Sequence, residues 1–192
     1  MTPVDLKHAY RLLNHGPTVL VGSAHAGRSN VMAAAWAMPL DFDTPKIAVV
    51  IDKSTLTREL VDASGVLSLC VPTVAMKDLV MASGGMSGNN YPDKLSRCHI
   101  STRAAPQTGV PLVDGCIAQL ECRVLPATAH VAGPHDLILA EVIGAWADER
   151  VFSQGRWHFE DAAPELRSLH HVAGGHFYAI GEAVQALPVA NA

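Results

Sequence analysis

Lys53-Ser54-Thr55-Leu56-Thr57 sets three hydroxyls and a lysine between two apolar segments of different period. Ahead of it, Ile47-Ala48-Val49-Val50-Ile51 is continuous and β-branched, as in a strand buried on both faces. Behind it, the apolar positions 56, 60, 61 and 63 fall at helical spacing. A strand that ends in hydroxyls where a helix begins can receive an anion, because the first N–H groups of the helix have no internal partner. Lys53 just before the helix and Arg58 in its first turn have the wrong sign for the helix dipole alone. A bound phosphate accounts for both. A second reading is that Ser54 or Thr55 only caps the helix. The stretch by itself leaves both open.

Other groups that could do chemistry are less ordered in their spacing. Among ten histidines, His170-His171 with His176 and His130 with His135 are the candidate clusters. No H-x-x-x-H on a helix and no completing carboxylate accompany them, so the sequence supports no metal site. Gly84-Gly85-Met86-Ser87-Gly88 lacks the Gly-Lys-Ser/Thr of a phosphate-binding loop and the glycine spacing of a dinucleotide fingerprint. It also lacks the residue between serine and the last glycine that a nucleophile elbow requires. Cys70, Cys98, Cys116 and Cys122 contain no C-x-x-C pair and suit neither zinc nor a disulfide framework. They read as reduced thiols of a cytoplasmic protein.

The elements that must position these residues follow from pattern. Residues 5–13 read as a short helix stopped by His15-Gly16-Pro17, and 18–23 as a strand. His25-Ala26-Gly27-Arg28 is a turn, and 29–36 returns as an alanine-rich strand that Pro39 ends. Its small side chains allow another group close to the backbone. Residues 46–51 form a third strand, 55–63 a helix closed by Ser64-Gly65, 66–71 a strand and 74–83 a helix. Residues 84–114 are irregular, a length that is usually functional inside one domain. Residues 116–124 alternate cleanly as a half-buried antiparallel strand, 137–147 form a longer one, and 176–184 a last one after loop-rich 152–175. Runs of strands not separated by helices favour an antiparallel sheet or barrel with added helices.

The chain of 192 residues suits one domain; 49% hydrophobic and 17% charged residues point to a subunit interface. A net charge of −4 without a basic run disfavours nucleic acid. No apolar stretch is long enough to span a bilayer, and the N-terminal residues lack a signal-peptide core.

Asn30-x5-Trp36-x2-Pro39-Leu40, then Lys53-Ser54-x2-Thr57, then Ser64-Gly65 before a strand, resembles the flavin reductase-like family of FMN-binding split barrels. So do Ser87-Gly88 with Asp93-Lys94, Leu120-Glu121-Cys122, Gly133-Pro134-His135-Asp136 and Gly175-x-Phe177-Tyr178. The match runs over residues 16–184 and departs from the family in Gly-Pro-His for Gly-Asp-His and in a longer spacing before Asp93-Lys94. Flavoredoxin-like proteins and the reductase components of two-component monooxygenases share the pattern. The resemblance implies a mostly β (α+β) fold, an antiparallel six-stranded split β-barrel with Greek-key character and a few flanking helices. It implies a homodimer with FMN, or alternatively FAD, near the subunit interface. It sets the isoalloxazine against Asn30, Val31, Met32, Ala33, Ala35 and Trp36 and the phosphate at Lys53, Ser54, Thr55 and Thr57, with Asp52 also among the cofactor-binding residues. Ser87, Gly88 and Lys94 would close over the cofactor, and His135 would stand on the nicotinamide or substrate side as a general acid. The implied activity is hydride transfer from NAD(P)H to flavin, with electrons passed to free flavin, a partner protein such as a monooxygenase, or oxygen. The alternatives are a non-catalytic FMN electron carrier or store and, from another class, a metal-dependent hydrolase using the histidines.

Overall fold

From Val19 to Val50 strand follows strand, because the β-branched and alternating segments there are separated by turns too short for helices; α-helices enter only in the longer connections after Val50 and Val71. A computed structural model describes residues 1–126 and 133–187. In chain order the strands are β1 (Thr2–Pro3), β2 (Val19–His25), β3 (Arg28–Ala34), β4 (Ala37–Phe42), β5 (Pro45–Val50), β6 (Val66–Val71), β7 (Thr102–Ala104), β8 (Pro111–Val113), β9 (Ala118–Val124), β10 (Leu137–Ala147), β11 (Phe152–Ser153), β12 (Arg156–Trp157), β13 (Leu169–Ala173) and β14 (His176–Ala179). The α-helices are α1 (Leu56–Ser64), α2 (Lys77–Gly85) and α3 (Lys94–Arg97).

Eight strands make one antiparallel sheet in the order β3-β2-β6-β9-β10-β5-β4, with β1 added on β10. Its ends, β3 and β4, are chain neighbours with no pairing between them among the described residues, so the barrel is split there. The expected antiparallel split barrel is what forms, with eight strands in place of six. The two extra strands are β1 and β4. Pro39 does not end the β-structure: it lies within β4, which among the described residues pairs only with β5, and a sheet edge tolerates the missing donor.

The β2–β3 turn takes positive φ at Ala26 (47°) and Gly27 (77°), the signs of a type I′ hairpin. Gly65 closes α1 with φ 71°, a left-handed C-cap. The barrel interior is filled by Val21, Ile47, Val49, Leu67, Leu69, Leu120 and Val142. A second cluster, with Leu20, Val31, Cys70, Val80 and Leu112, covers the outer face of β2, β3 and β6.

That second layer corrects the reading of residues 116–124 as half-buried. Gln119 and Glu121 are as buried as their apolar neighbours. Gln119 donates to the Val113 carbonyl at 2.6 Å and accepts from Arg103. One Glu121 oxygen accepts from the Gln107 and Thr108 backbones at 3.0 and 2.6 Å and from the Thr108 hydroxyl at 2.7 Å. Backbone laid over a sheet must have its polar groups met; Glu121 takes two of its N–H groups and Gln119 one of its carbonyls. The segment 84–114 is therefore not irregular throughout: it holds α3 and the β7–β8 hairpin.

Three smaller expectations also shift. Residues Leu6–Leu12 form a 3-10 helix. The 152–175 stretch holds strands, among them β13. The last strand ends at Ala179 rather than 184, because β14 pairs only with the short β13. Among the described residues, no helix is long and apolar enough to cross a membrane.

Candidate functional site

Asn30 stands at the hairpin end of β3, where the sheet meets the start of α1. It is buried, and its Nδ2 donates to Thr57 Oγ1 at 2.8 Å. Gly88 fits against the same pair: a Cβ there would lie 2.8 Å from Asn30 Oδ1 and 2.8 Å from Leu56 Cδ2. Asn89 Nδ2 donates to the Ser54 carbonyl at 3.1 Å. The strand, the helix start and the 87–90 loop thus converge on Asn30. It is a buried junction and not a turn residue.

The helix start itself is capped. Thr55 Oγ1 accepts from the Arg58 N–H at 3.2 Å and donates to the Asp52 carbonyl at 2.8 Å. Asp52 Oδ1 accepts from the Ser54 N–H at 2.7 Å and hydroxyl at 2.6 Å, and these bonds hold its carboxyl below the usual range. Among the described residues no acceptor takes the N–H groups of Leu56 and Thr57. Cap and free donors coexist at one helix end.

The two cations have protein partners. Lys53 Nζ lies 3.3 Å and Arg58 Nη1 3.5 Å from Asp136 Oδ1, and Arg58 Nε lies 2.9 Å from Asp62. Their sign is thus explained without an anion, by Asp136 just ahead of β10 and by an i,i+4 pair. Lys53 itself is exposed, which weakens its pair with the half-buried Asp136. His135, next to Asp136, is exposed and does not line the cleft described next.

Beside this junction lies a cleft of about 510 Å³. Met32, Ala33, Ala34, Ala35 and Trp36 form one wall, and Val80, Met81, Gly84 and Gly85 of α2 another. Val50 and Asp52 border it at the end of β5, and Thr18, His171, Gly174 and Phe177 complete it. The small residues face each other closely: a Cβ on Gly84 would sit 3.5 Å from that of Ala33. Trp36 is 75% exposed on the rim, so it is not a core tryptophan.

Lys94 is not a solvated surface charge. It is 3% exposed on α3, which packs against β3, and no carboxylate or carbonyl among the described residues partners its ammonium. Burial pushes its pKa down, with the Cys98 thiol acting the other way. A nearly buried lysine without a partner on α3, and two unpartnered N–H groups at the start of α1, are each donors suited to an anion.

Of the residues singled out in the sequence, Met32, Ala33, Ala35, Trp36 and Asp52 line the cleft. Val31 lies in the core beneath it, and Asn30 and Thr57 are buried at the junction. Lys53, Ser54, Thr55, Ser87 and Gly88 surround the helix start. Sequence reasoning missed Thr18, Met81, His171 and Gly174 as lining residues. No motif marked them, although His171 stood in a histidine cluster and its neighbour Phe177 in the Gly175-x-Phe177-Tyr178 run. Among the described residues no group of His, Cys, Asp or Glu has a metal-holding arrangement. His170 Nδ1 is instead bonded to the Gly16 carbonyl at 3.1 Å, and His130 lies outside the described residues.

Comparison with known proteins gives a consistent result. The uncharacterised protein YddH of Escherichia coli (strain K12) is 45% identical over 187 residues, 96% of this chain and 97% of its own. The FMN reductase (NADH) RutF of Variovorax paradoxus (strain S110) is 29% identical over 166 residues, 83% of this chain and 86% of its own. The solved FMN-binding domain of a flavin reductases-like enzyme from Shewanella baltica OS155 aligns with a TM-score of 0.92 at 48% identity, covering 96% of each chain. The family described as flavin reductase like domain matches residues 11–167, and with a split barrel and an anion-suited helix start beside a small-walled cleft, this chain belongs to that flavin reductase-like family.

Proposed function

We propose that this chain is an FMN-binding oxidoreductase that draws on NADH or NADPH and works as a homodimer. The observation that carries the reading is the buried, unpaired Lys94 on a helix packed against β3, the strand that walls the cleft. The names of the Variovorax and Shewanella relatives support the same cofactor and, in the first case, the same reductant. FMN, when bound, supplies reversible two-electron chemistry that takes electrons from a reduced nicotinamide and delivers them to an acceptor.

The backbone of Asn30, Val31, Met32, Ala33, Ala35 and Trp36 would lie along the ring, because small side chains let a flat group approach. Lys53, Ser54, Thr55 and the free N–H groups of Leu56 and Thr57 would receive the phosphate, with Asp52 holding Ser54 in place. The Thr57 hydroxyl accepts from Asn30, which leaves Thr57 its hydroxyl proton as well as its N–H to offer. Ser87, Gly88 and Lys94 would close that end. His135 is the group proposed to handle a proton; Asp136 fixes its segment against Lys53 and Arg58.

The absorption spectrum of the purified protein with added FMN, followed by anaerobic NADH or NADPH, tests the reading. Bound flavin that bleaches with the nicotinamide is the expected result. Bleaching only with dithionite would leave an electron carrier in place of a reductase. A protein that takes up no flavin and carries stoichiometric zinc would replace the reading with a metal-dependent hydrolase.

A further inference from the structure

After β14 the chain leaves its own barrel within a few residues. The Ile180 N–H donates to the Ser168 carbonyl at 3.1 Å, and the Ile180 side chain packs against the barrel core. Glu182 follows with an ion pair to Arg167 at 3.4 Å. Beyond it, Ala183-Val184-Gln185-Ala186-Leu187 carries no charge, and among the described residues no hydrogen bond ties it to the body. Val184 is 96% and Leu187 91% exposed, so a single chain buries neither. Large apolar side chains left in water favour any surface that covers them, and here the chain's own body does not.

The β13–β14 hairpin delivers this segment beside the cleft. The Thr18 N–H donates to the Leu169 carbonyl at 2.8 Å and the His171 N–H donates to Thr18 Oγ1 at 2.9 Å, which fixes the hairpin to the start of β2. Phe177 of β14 lines the cleft together with Trp36. Trp36 is in turn one end of the exposed ridge that runs through Met38, Leu40 and Phe42 of β4. The root of the segment and the end of the ridge therefore border one opening, yet both stay bare in the single chain. Pro39 withholds a backbone donor within β4, so this edge offers a partner its apolar side chains more than a strand to pair with.

We propose that residues 183–187 of one copy pack on the Met38-Leu40-Phe42 ridge of a second copy, and that the exchange is mutual. A two-fold dimer covers both bare surfaces at once, because residue i then touches j and j touches i, so each segment meets the other copy's ridge. The segment is uncharged, and Asp41 beside the ridge already has Lys46 at 2.7 Å, so the contact buries no unpaired charge. The proposal rests on the homodimer of the functional reading and adds the segment that each copy contributes to it.

Sedimentation velocity and photo-crosslinking of the full chain test it. Val184→Asp combined with Leu187→Asp should weaken the dimer at least about tenfold, the worth of one or two buried apolar side chains. The unfolding midpoint of the diluted, monomeric chain should not change, because neither side chain is buried in the folded body. Leu187→Met should dimerise as the wild type does. Leu187→Cys carrying a benzophenone label places a crosslinker on the segment alone, since the four native cysteines are buried. In a mixture of heavy- and light-isotope chains allowed to exchange subunits, irradiation should join the label to the peptide that holds β4, with mixed-isotope adducts among the products. Adducts of a single isotope only would place the contact within one chain and overturn the proposal. Adducts elsewhere on the partner, or none, overturn it too. A dimer that the paired aspartates do not weaken also overturns it and leaves the homodimer standing on another surface. A wild type that is monomeric at micromolar concentration removes the homodimer itself, and the proposal falls with it.

Discussion

Lys94 and Asn30 show how differently two buried polar side chains can behave at one site. Asn30 has its partner in Thr57, and that bond joins β3 to the start of α1. Lys94 has none among the described residues, and the cost of burying its charge shows as a lowered pKa. The folded chain therefore holds fewer protons at this position than the unfolded chain does in the alkaline range. Stability of the cofactor-free protein should rise as pH climbs through the depressed pKa toward the ordinary lysine value. Lys94→Met should remove that dependence and leave the cofactor-free protein as stable as wild type or more so, because no ion pair is broken. FMN affinity should fall about tenfold or more, the worth of one hydrogen bond to a charged group. Urea unfolding at several pH values and a flavin titration would check both halves. A large loss of stability in Lys94→Met would mean that the ammonium serves the fold.

At the scale of elements, the β13–β14 hairpin depends on a histidine far away in sequence. His15 Nε2 lies 3.0 Å from the hydroxyl of Ser168, the residue before β13, with Trp157 and Phe159 rings packed at 5.3 and 5.5 Å. Burial first, and then His170, lower the His15 pKa to about 4. Its Nδ1 is buried without a partner, so a second ring proton has no acceptor. The unfolded chain binds that proton near pH 6.5 and the folded chain only near 4. Stability should be full above the unfolded value, decline as pH falls through this window, and level off below it. The loss should be about 3 kcal/mol. His15→Phe should flatten this decline in urea unfolding between pH 7 and 4; an unchanged decline would assign it to other groups. Nothing in the sequence announced this packing, because His15 read only as a helix stop. What was legible is what short-range pattern controls: the β2–β3 turn, the Gly65 cap, the apolar run of β5 and the Thr55 cap. What was not legible depends on distant partners. Gln119 and Glu121 looked solvent-facing until residues 102–113 covered them, and Thr18 gained its place in the cleft only when β13 docked on it.

For the whole molecule, the unfinished surface is the edge of the split. Among the described residues β4 pairs on one side only, and Met38, Leu40 and Phe42 alternate outward along it, with Phe42 66% exposed. Trp36 continues this apolar ridge and also lines the cleft. A free strand edge carrying large apolar side chains is a liability unless another surface covers it. A second copy meeting this ridge would both bury it and close the rim at Trp36, which links assembly to cofactor retention. Leu40→Asp combined with Phe42→Asp tests that link, since both side chains are exposed and neither enters the barrel core. Sedimentation velocity should show the wild type at twice the 20.3 kDa chain mass and the double variant at the chain mass, with similar unfolding midpoints once dilution effects on the dimer are matched. FMN affinity should fall with dimerisation. A wild-type chain that sediments as a monomer at micromolar concentration would remove the dimer from the proposed function. A monomeric variant that keeps full FMN affinity would place the whole cofactor site within one chain.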